Sequence, residues 1–254
     1  MHYGKSCLYN VCGFVLSGGS RIILYADDMV LYKPIKNNQD LLDFQNDIDA
    51  ICSWTSTNSL HLNATKTKSI LITRKKHRPI LNFVIGSYPI PSVTSLKFLG
   101  VVITDNLSWS SHIESTCLKA KKELRLIHRH YHQAPRVARE RLYKLTVLPH
   151  LDYCASVWDP HQAKYKEKLN SVQAFASKVV LQSWTTPRQQ RLLTLKWPCL
   201  EDRRKVQKLI MCHKIINGRS CIPSSTFPQH PYVPVTTTFS QSSFVCTTVS
   251  FSFS

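Results

Sequence analysis

The spacing of apolar positions changes part-way along the chain. Arg21–Tyr25 (RIILY) and Met29–Tyr32 (MVLY) are short β-prone runs separated by Ala26-Asp27-Asp28, which predicts a hairpin with acidic residues at its tip. Next, Leu41, Phe44, Ile48 and Ile51 recur every three or four residues, predicting a helix from Asn37 or Asn38 to about Thr57. Asp40 and Asp43 fall in its first turns, where negative charge suits the helix dipole. LHLNATKTKSILIT predicts a turn leading into a strand at Ser69–Thr73, and RKKHR at 74–78 a basic loop. LNFVIGSYPIP and SLKFLGVVIT predict further strands, the second running into a turn at Asp105-Asn106.

Beyond residue 110 the period is near 3.6. Ser111-His112-Ile113-Glu114 matches a capping box, and Ile113, Cys117, Ala120, Leu124 and Ile127 then make one apolar stripe. The opposite side of that helix carries Lys119, Lys121, Lys122, Arg125 and Arg129, either a solvated face or a track for phosphates. After Pro135, Ala138, Leu142, Leu145 and Leu148 are expected to face the core of a helix that Pro149 ends. Further helices are expected at about Leu151–Val157, Gln162–Gln182 and Leu200–Asn217. The last has Val206, Leu209, Ile210 and Ile216 inward and Gly218 just past its end.

Composition narrows the function classes. A chain of 254 residues allows one or two domains, and no run approaches the roughly 18 consecutive apolar residues of a membrane-spanning helix. Lys and Arg total 33 against 15 Asp and Glu, a formal charge of +18 that favours an anionic partner. Charge then stops: Ser220–Ser254 contains no Lys, Arg, Asp or Glu, and its Ser/Thr-rich text with Phe and Val predicts a disordered or weakly strand-forming, aggregation-prone tail. Nine cysteines without a CxxC pair fit a reducing compartment better than a disulfide framework. The first 16 residues carry one Lys and a short apolar run interrupted by Asn10, with no clear cleavage site, which argues against a secretory leader.

Two adjacent carboxylates between apolar strands need a cation or hydrogen-bond partners, or else form a turn in which Asp makes Asx bonds. YADD at 25–28, so placed, resembles the active-site motif of reverse transcriptases, and the downstream text resembles the polymerases of non-LTR (LINE-like, jockey/CR1-type) retrotransposons. LNATKTK at 62–68 is similar to that family's segment with a Lys after a helix, at Lys66. SLKFLGVVITDNLSWSSHI at 95–113 resembles its primer grip and thumb start, through Phe98, Leu99, Gly100, Trp109 and His112. YKLTVLPHLDYCASVWDP and LEDRRKVQKLIMCHKIING resemble the helical region after the thumb, so the resemblance spans about residues 20–220.

The resemblance implies an α+β architecture: a partial polymerase palm over 1–110, a thumb-like helical region over 111–160, a helical extension over 161–222 and the tail at 223–254. It implies RNA-templated DNA synthesis with Mg²⁺ held by Asp27, with Asp28 its less direct neighbour, in a two-metal mechanism. Lys66 would face the triphosphate, Tyr25 the primer end or incoming nucleotide, and Leu99 and Gly100 the primer strand. For each, a packed or surface role is the alternative. Lys119, Lys122 and Arg125 would contact phosphates. Implied partners are an RNA template, a DNA primer or their hybrid, and dNTPs, with no membrane, in the nucleus or a cytoplasmic ribonucleoprotein.

One departure bears on activity. The family carries a further metal-binding Asp on a palm strand well upstream, whereas the 24 residues before Tyr25 include no Asp or Glu. The same reading expects the fingers to be missing as well. The expectation is therefore a C-terminal reverse-transcriptase fragment, inactive alone, with a non-catalytic nucleic-acid-binding module or an unselected relic as alternatives. The incomplete sheet is expected to leave an uncovered edge. Cys199, Cys212, His213 and Cys221 have no usual zinc spacing and read as scattered core cysteines.

Overall fold

The computed structural model describes residues 16, 18–26, 28–73, 75–220, 222 and 243–252. They fall into two units, Met1–Ser108 with Phe227–Ser254 and Trp109–Thr226. The elements mix α and β with antiparallel sheets, as α+β requires.

In the first unit β1 (Arg21–Tyr25) and β2 (Asp28–Ile35) form the expected hairpin, with Tyr25 opposite Asp28. Ala26 sits in its loop at φ 53°. Helix α1 (Asn38–Thr57) starts at Asn37, whose side chain accepts the N–H of Asp40 while the Asp40 carboxylate accepts the N–H of Asn37. Phe44, Ile48 and Ile51 enter a core with Met29, Leu31 and Ile35 of β2. Two polar anchors fix this packing. The fully buried Asp47 carboxylate accepts the N–H groups of Gly18 (2.9 Å) and Ser20 (3.3 Å), and buried Lys33 donates to Asp43 at 3.1 Å.

The rest of the unit comprises β3 (His61–Leu62), β4 (Lys68–Ile72), the hairpin of β5 (Val84–Ile85) with β6 (Tyr88–Pro89), that of β7 (Ser95–Phe98) with β8 (Val101–Thr104), and β9 (Ser243–Ser252). Of the two alternatives for the tail, the strand-forming one holds for these residues. Residues 243–252 are neither disordered nor peripheral: β9 pairs antiparallel with β2 on one side and with β4 and β3 on the other. The edge expected to be uncovered is filled by the chain's own Phe-Val-Cys-Thr-Thr run. The run is β-prone and carries no charge that burial would penalise. The remainder of the tail, 223–242, lies outside the described residues.

The second unit is helical: α2 (Ser110–His130), α3 (Arg136–Leu142), a π-helical turn (Tyr143–Val147), α4 (Leu148–Asp152), α5 (Ala155–Trp158), α6 (Ala163–Leu181), α7 (Arg188–Leu195) and α8 (Leu200–Ile216). The α2 stripe Ile113, Cys117, Ala120, Leu124 and Ile127 is buried as expected. The capping box is not formed. The helix begins two residues early, after Trp109 and with no side-chain cap bond, so Ser111 lies inside the first turn and Glu114 instead accepts a bond from Lys168 at 2.8 Å.

The next face is met in part, Leu142 and Leu148 packing against the core as expected. Arg139, Tyr143, Val147 and Leu151 are buried, whereas Leu145 is 74% exposed. Pro149 does not end the helix: the wider π-helical turn before it relieves the clash between a proline ring and the carbonyl four residues back, and Pro149 then falls in the first turn of α4. Buried Arg139 donates to the Val180 carbonyl (3.1 and 2.9 Å), and buried Arg191 to Ser177 Oγ at 2.9 Å.

Helix α8 is rotated from its expected orientation. Val206, Leu209, Ile210 and Ile216 are exposed, and Leu200, Arg204 and Ile215 are buried instead. Ion pairs set this rotation: Arg204 Nε meets Asp159 Oδ1 at 2.6 Å, Lys208 Nζ meets Asp159 Oδ2 at 2.5 Å, and Arg203 pairs with Asp152. Gly218 follows α8 at φ 62°, as expected. Trp158 is fully buried, donates Nε1–H to the Tyr153 carbonyl at 2.8 Å and packs edge-on against His112.

Two outcomes follow. A Cβ at Gly18 would lie 2.5 Å from Asp47 Oδ2 and 2.6 Å from the Asp43 carbonyl. Gly18→Ala should therefore lower stability by about 1–3 kcal/mol in a denaturant melt. Burial opposes ionisation of Asp159, but the bonds from Lys208 and Arg204 outweigh it and hold its carboxyl below the usual value. The stability this confers is present above the ordinary carboxylate value near 3.8 and is lost as pH falls through the lower folded value. Asp159→Asn should remove that acid-sensitive component and destabilise the helical unit by about 3–5 kcal/mol, read by tryptophan fluorescence, because Arg204 would stay buried without its counter-ion.

Candidate functional site

The first unit holds a cleft of about 190 Å³ lined by Asp28 and Met29 of β2, Lys66 and Lys68 around the start of β4, Leu96, Lys97 and Phe98 of β7, and Thr248 of β9. Each wall has a local cause. Asp28 is the first residue of β2, fixed by pairing with Tyr25 on one side and Ser250 on the other. Lys66 sits on a turn organised by Asn63, whose side-chain oxygen accepts from Lys66 N–H (3.1 Å) and Thr65 Oγ1 (2.7 Å). Buried Thr67 closes this turn by donating to the Asn63 carbonyl at 2.9 Å.

The β7–β8 hairpin is joined by Leu99 and Gly100, both at positive φ (44° and 85°). Those signs suit a two-residue primed turn, a conformation Gly takes freely and Leu only at a cost. The hairpin is tied to β4 through Thr73 N–H, which donates to the Asp105 carbonyl at 2.9 Å. Phe98 and Lys97 are thereby held at the cleft.

Of the residues singled out from the sequence, the cleft unites Asp28 and Lys66. Tyr25 is half-exposed on β1, and Leu99 with Gly100 forms the turn next to the lining residue Phe98; none of the three lines the cleft. Asp27 lies outside the described residues. Lys119, Lys122 and Arg125 belong to the other unit, where all three are exposed on α2 opposite the buried stripe. Sequence reasoning missed Lys68, Lys97 and Thr248. The first two had a signal, Lys68 being two residues after Lys66 and Lys97 next to Phe98; Thr248, 220 residues from Asp28, had none.

The chain is 22% identical over 174 residues to a protein of Drosophila melanogaster described as the probable RNA-directed DNA polymerase from transposon X-element. The match takes in 65% of this chain and 18% of that protein, so the chain spans less than a fifth of its relative's length. It is thus a distant, partial relative of a transposon reverse transcriptase. No family model and no solved structure matches.

The donor chemistry of the cleft decides what it can hold. Its described lining offers one carboxylate and three lysines. Among the described residues no cluster of three or more His, Cys, Asp or Glu could hold a metal ion. A pair of Mg²⁺ ions requires several hard oxygen ligands, and this set does not supply them. Three lysines against one carboxylate are a lining better matched to a polyanion than to a cation. Among the described residues no helix is long and apolar enough to cross a membrane. Lys66→Ala and Lys97→Ala should each weaken binding of inorganic pyrophosphate roughly tenfold in calorimetry, the worth of one charge-assisted hydrogen bond.

Proposed function

We propose that the chain is a piece of a non-LTR-type retrotransposon reverse transcriptase that binds the phosphates of nucleic acid and nucleotide without completing the polymerase reaction alone. The observation that carries this reading is the meeting of Asp28 with Lys66 in one cleft. These are the residues that the family resemblance assigns to the metal-binding motif and to the triphosphate. The distant relation to a probable RNA-directed DNA polymerase supports the general reading. The surplus of lysines over carboxylates supports a binding rather than catalytic role for the isolated chain.

In this reading Lys66, Lys68 and Lys97 hold a triphosphate or pyrophosphate, and Asp28 restricts where the anion can lie by repulsion. Lys119, Lys122 and Arg125, on a helix whose other face is committed to the core, contact successive phosphates of a template–primer hybrid. Parental two-metal chemistry would need carboxylates beyond those described, so no step of it is assigned to these residues.

The test is primer extension on an RNA template with Mg²⁺ and dNTPs, in parallel with hybrid binding over a salt series. The isolated chain should extend no primer above the Asp27→Ala/Asp28→Ala control. Its log affinity should fall against log salt with a slope near −5 if about six phosphates are neutralised. Lys119→Ala/Lys122→Ala should reduce the slope by about 2. Binding indifferent to salt would overturn the proposal, as would extension that survives loss of both aspartates.

A further inference from the structure

β2 and β4 are linked through the sheet only by way of β9 among the described strands: the order runs β1-β2-β9, and β4 pairs with β9. The ladder to β2 covers Asp28–Ile35 against Ser250–Ser243, and the ladder to β4 covers Lys68–Ile72 against Thr248–Phe244. A central strand of this kind is drawn from the opposite end of the sequence. Its contacts belong to the first unit, although the chain between Trp109 and Thr226 forms the second.

The occupant fits its slot incompletely. Of the alternate residues Ser243, Val245 and Thr247, all buried, only Val245 is apolar and joins the core around α1. Ser243 Oγ shares a hydrogen bond with Thr73 Oγ1 at 2.9 Å, whereas Thr247 Oγ1 is buried with no hydrogen-bond partner. Backbone pairing on both sides holds the strand, and its side chains specify it weakly. The unsatisfied hydroxyl costs stability rather than adding it, so what secures the strand is its backbone pairing to both neighbours.

We infer that the space between β2 and β4 is a strand-acceptor site, and that it takes residues 243–252 from a second copy of this chain as well as from its own. The exchanged form makes the same antiparallel pairs and the same contact with the α1 core, so no new interface is needed. Twenty residues, 223–242, join the helical unit to the strand, a contour of up to about 70 Å that permits either source. Self-pairing is favoured at low concentration by the tether, and exchange gains as chain concentration approaches the effective concentration the tether provides, on the order of millimolar.

The test uses disulfide trapping in the full chain, because Cys246 lies opposite Tyr32 on β2 and Ile70 on β4. A chain with Tyr32→Cys and its native Cys246 should, on oxidation, close a 32–246 bond within one molecule, identified by peptide mass. A chain carrying Tyr32→Cys and Cys246→Ser, mixed with unaltered chain, can form a 32–246 bond only between molecules. A covalent dimer with that link, increasing with concentration, is the expected result. Ile70→Cys with Cys246→Ser repeats the measurement from the other edge should the tyrosine variant fail to fold. An intramolecular bond in the control without any 32–246 or 70–246 dimer in the mixtures would overturn the proposal. Failure of the control to link at either edge would overturn it too, by removing the register on which it rests.

Discussion

The first unit depends on β2 being hydrogen-bonded along both edges. With β1 on one side and β9 on the other, Met29, Leu31 and Ile35 can be committed to the core around α1 without leaving a row of unpaired backbone groups in it. The same double pairing fixes Asp28 at the mouth of the cleft. A carboxylate on a lone hairpin would wander, whereas here its backbone is held by neighbours on either flank. Lys33, five residues on, ties the strand to Asp43 at the amino end of α1, so helix and strand share one ionic joint as well as one apolar layer.

Much of this was legible in the residues. The β1–β2 hairpin, α1 with its asparagine cap, the strands around Ser69 and Leu96 and the stripe of α2 all follow from short-range spacing, and each forms close to where that spacing places it. The misplacements share a cause: they depend on partners distant in sequence. Val206, Leu209 and Ile210 read as a core face until Asp159 claims Arg204 and Lys208 and turns α8 the other way. No local rule converts a Ser/Thr-rich terminal stretch into a central strand; that needs knowledge of an unfilled place in the sheet. The cleft was half legible for the same reason, Lys66 and Asp28 through motif resemblance and Thr248 not at all.

Charge at the surface is smaller than composition implies. Arg139, Arg191 and Arg204 are buried: Arg139 donates to backbone carbonyls, Arg191 to Ser177, and Arg204 through Nε to Asp159, with one Arg204 Nη left without a partner. A buried guanidinium with several acceptors is a scaffold element, not a ligand for phosphate. The lysines of the cleft in one unit and Lys119 and Lys122 on the outer face of α2 in the other stay exposed, as do other basic residues such as Lys75, Lys76 and Arg141. Similar logic governs His112, which sits against Trp158 with its pKa lowered by burial and by nearby Lys119. It contributes an aromatic surface to the core rather than a cation to the exterior.

The π-helical turn at Tyr143–Val147 has a bearing on how this region tolerates change in length. Such a turn accommodates one residue more than an α-helical turn of the same rise, and each residue of an α-helix corresponds to a rotation of about 100°. Loss of a single codon there would let the backbone revert to regular α-helix with the faces beyond it still in phase, because the π-helical turn rotates about as far as an α-helical turn with one residue fewer. Leu151 would keep its place in the core, but Pro149 would meet the carbonyl it now avoids. The extra residue is thus what lets a proline follow directly on this helical stretch without a break.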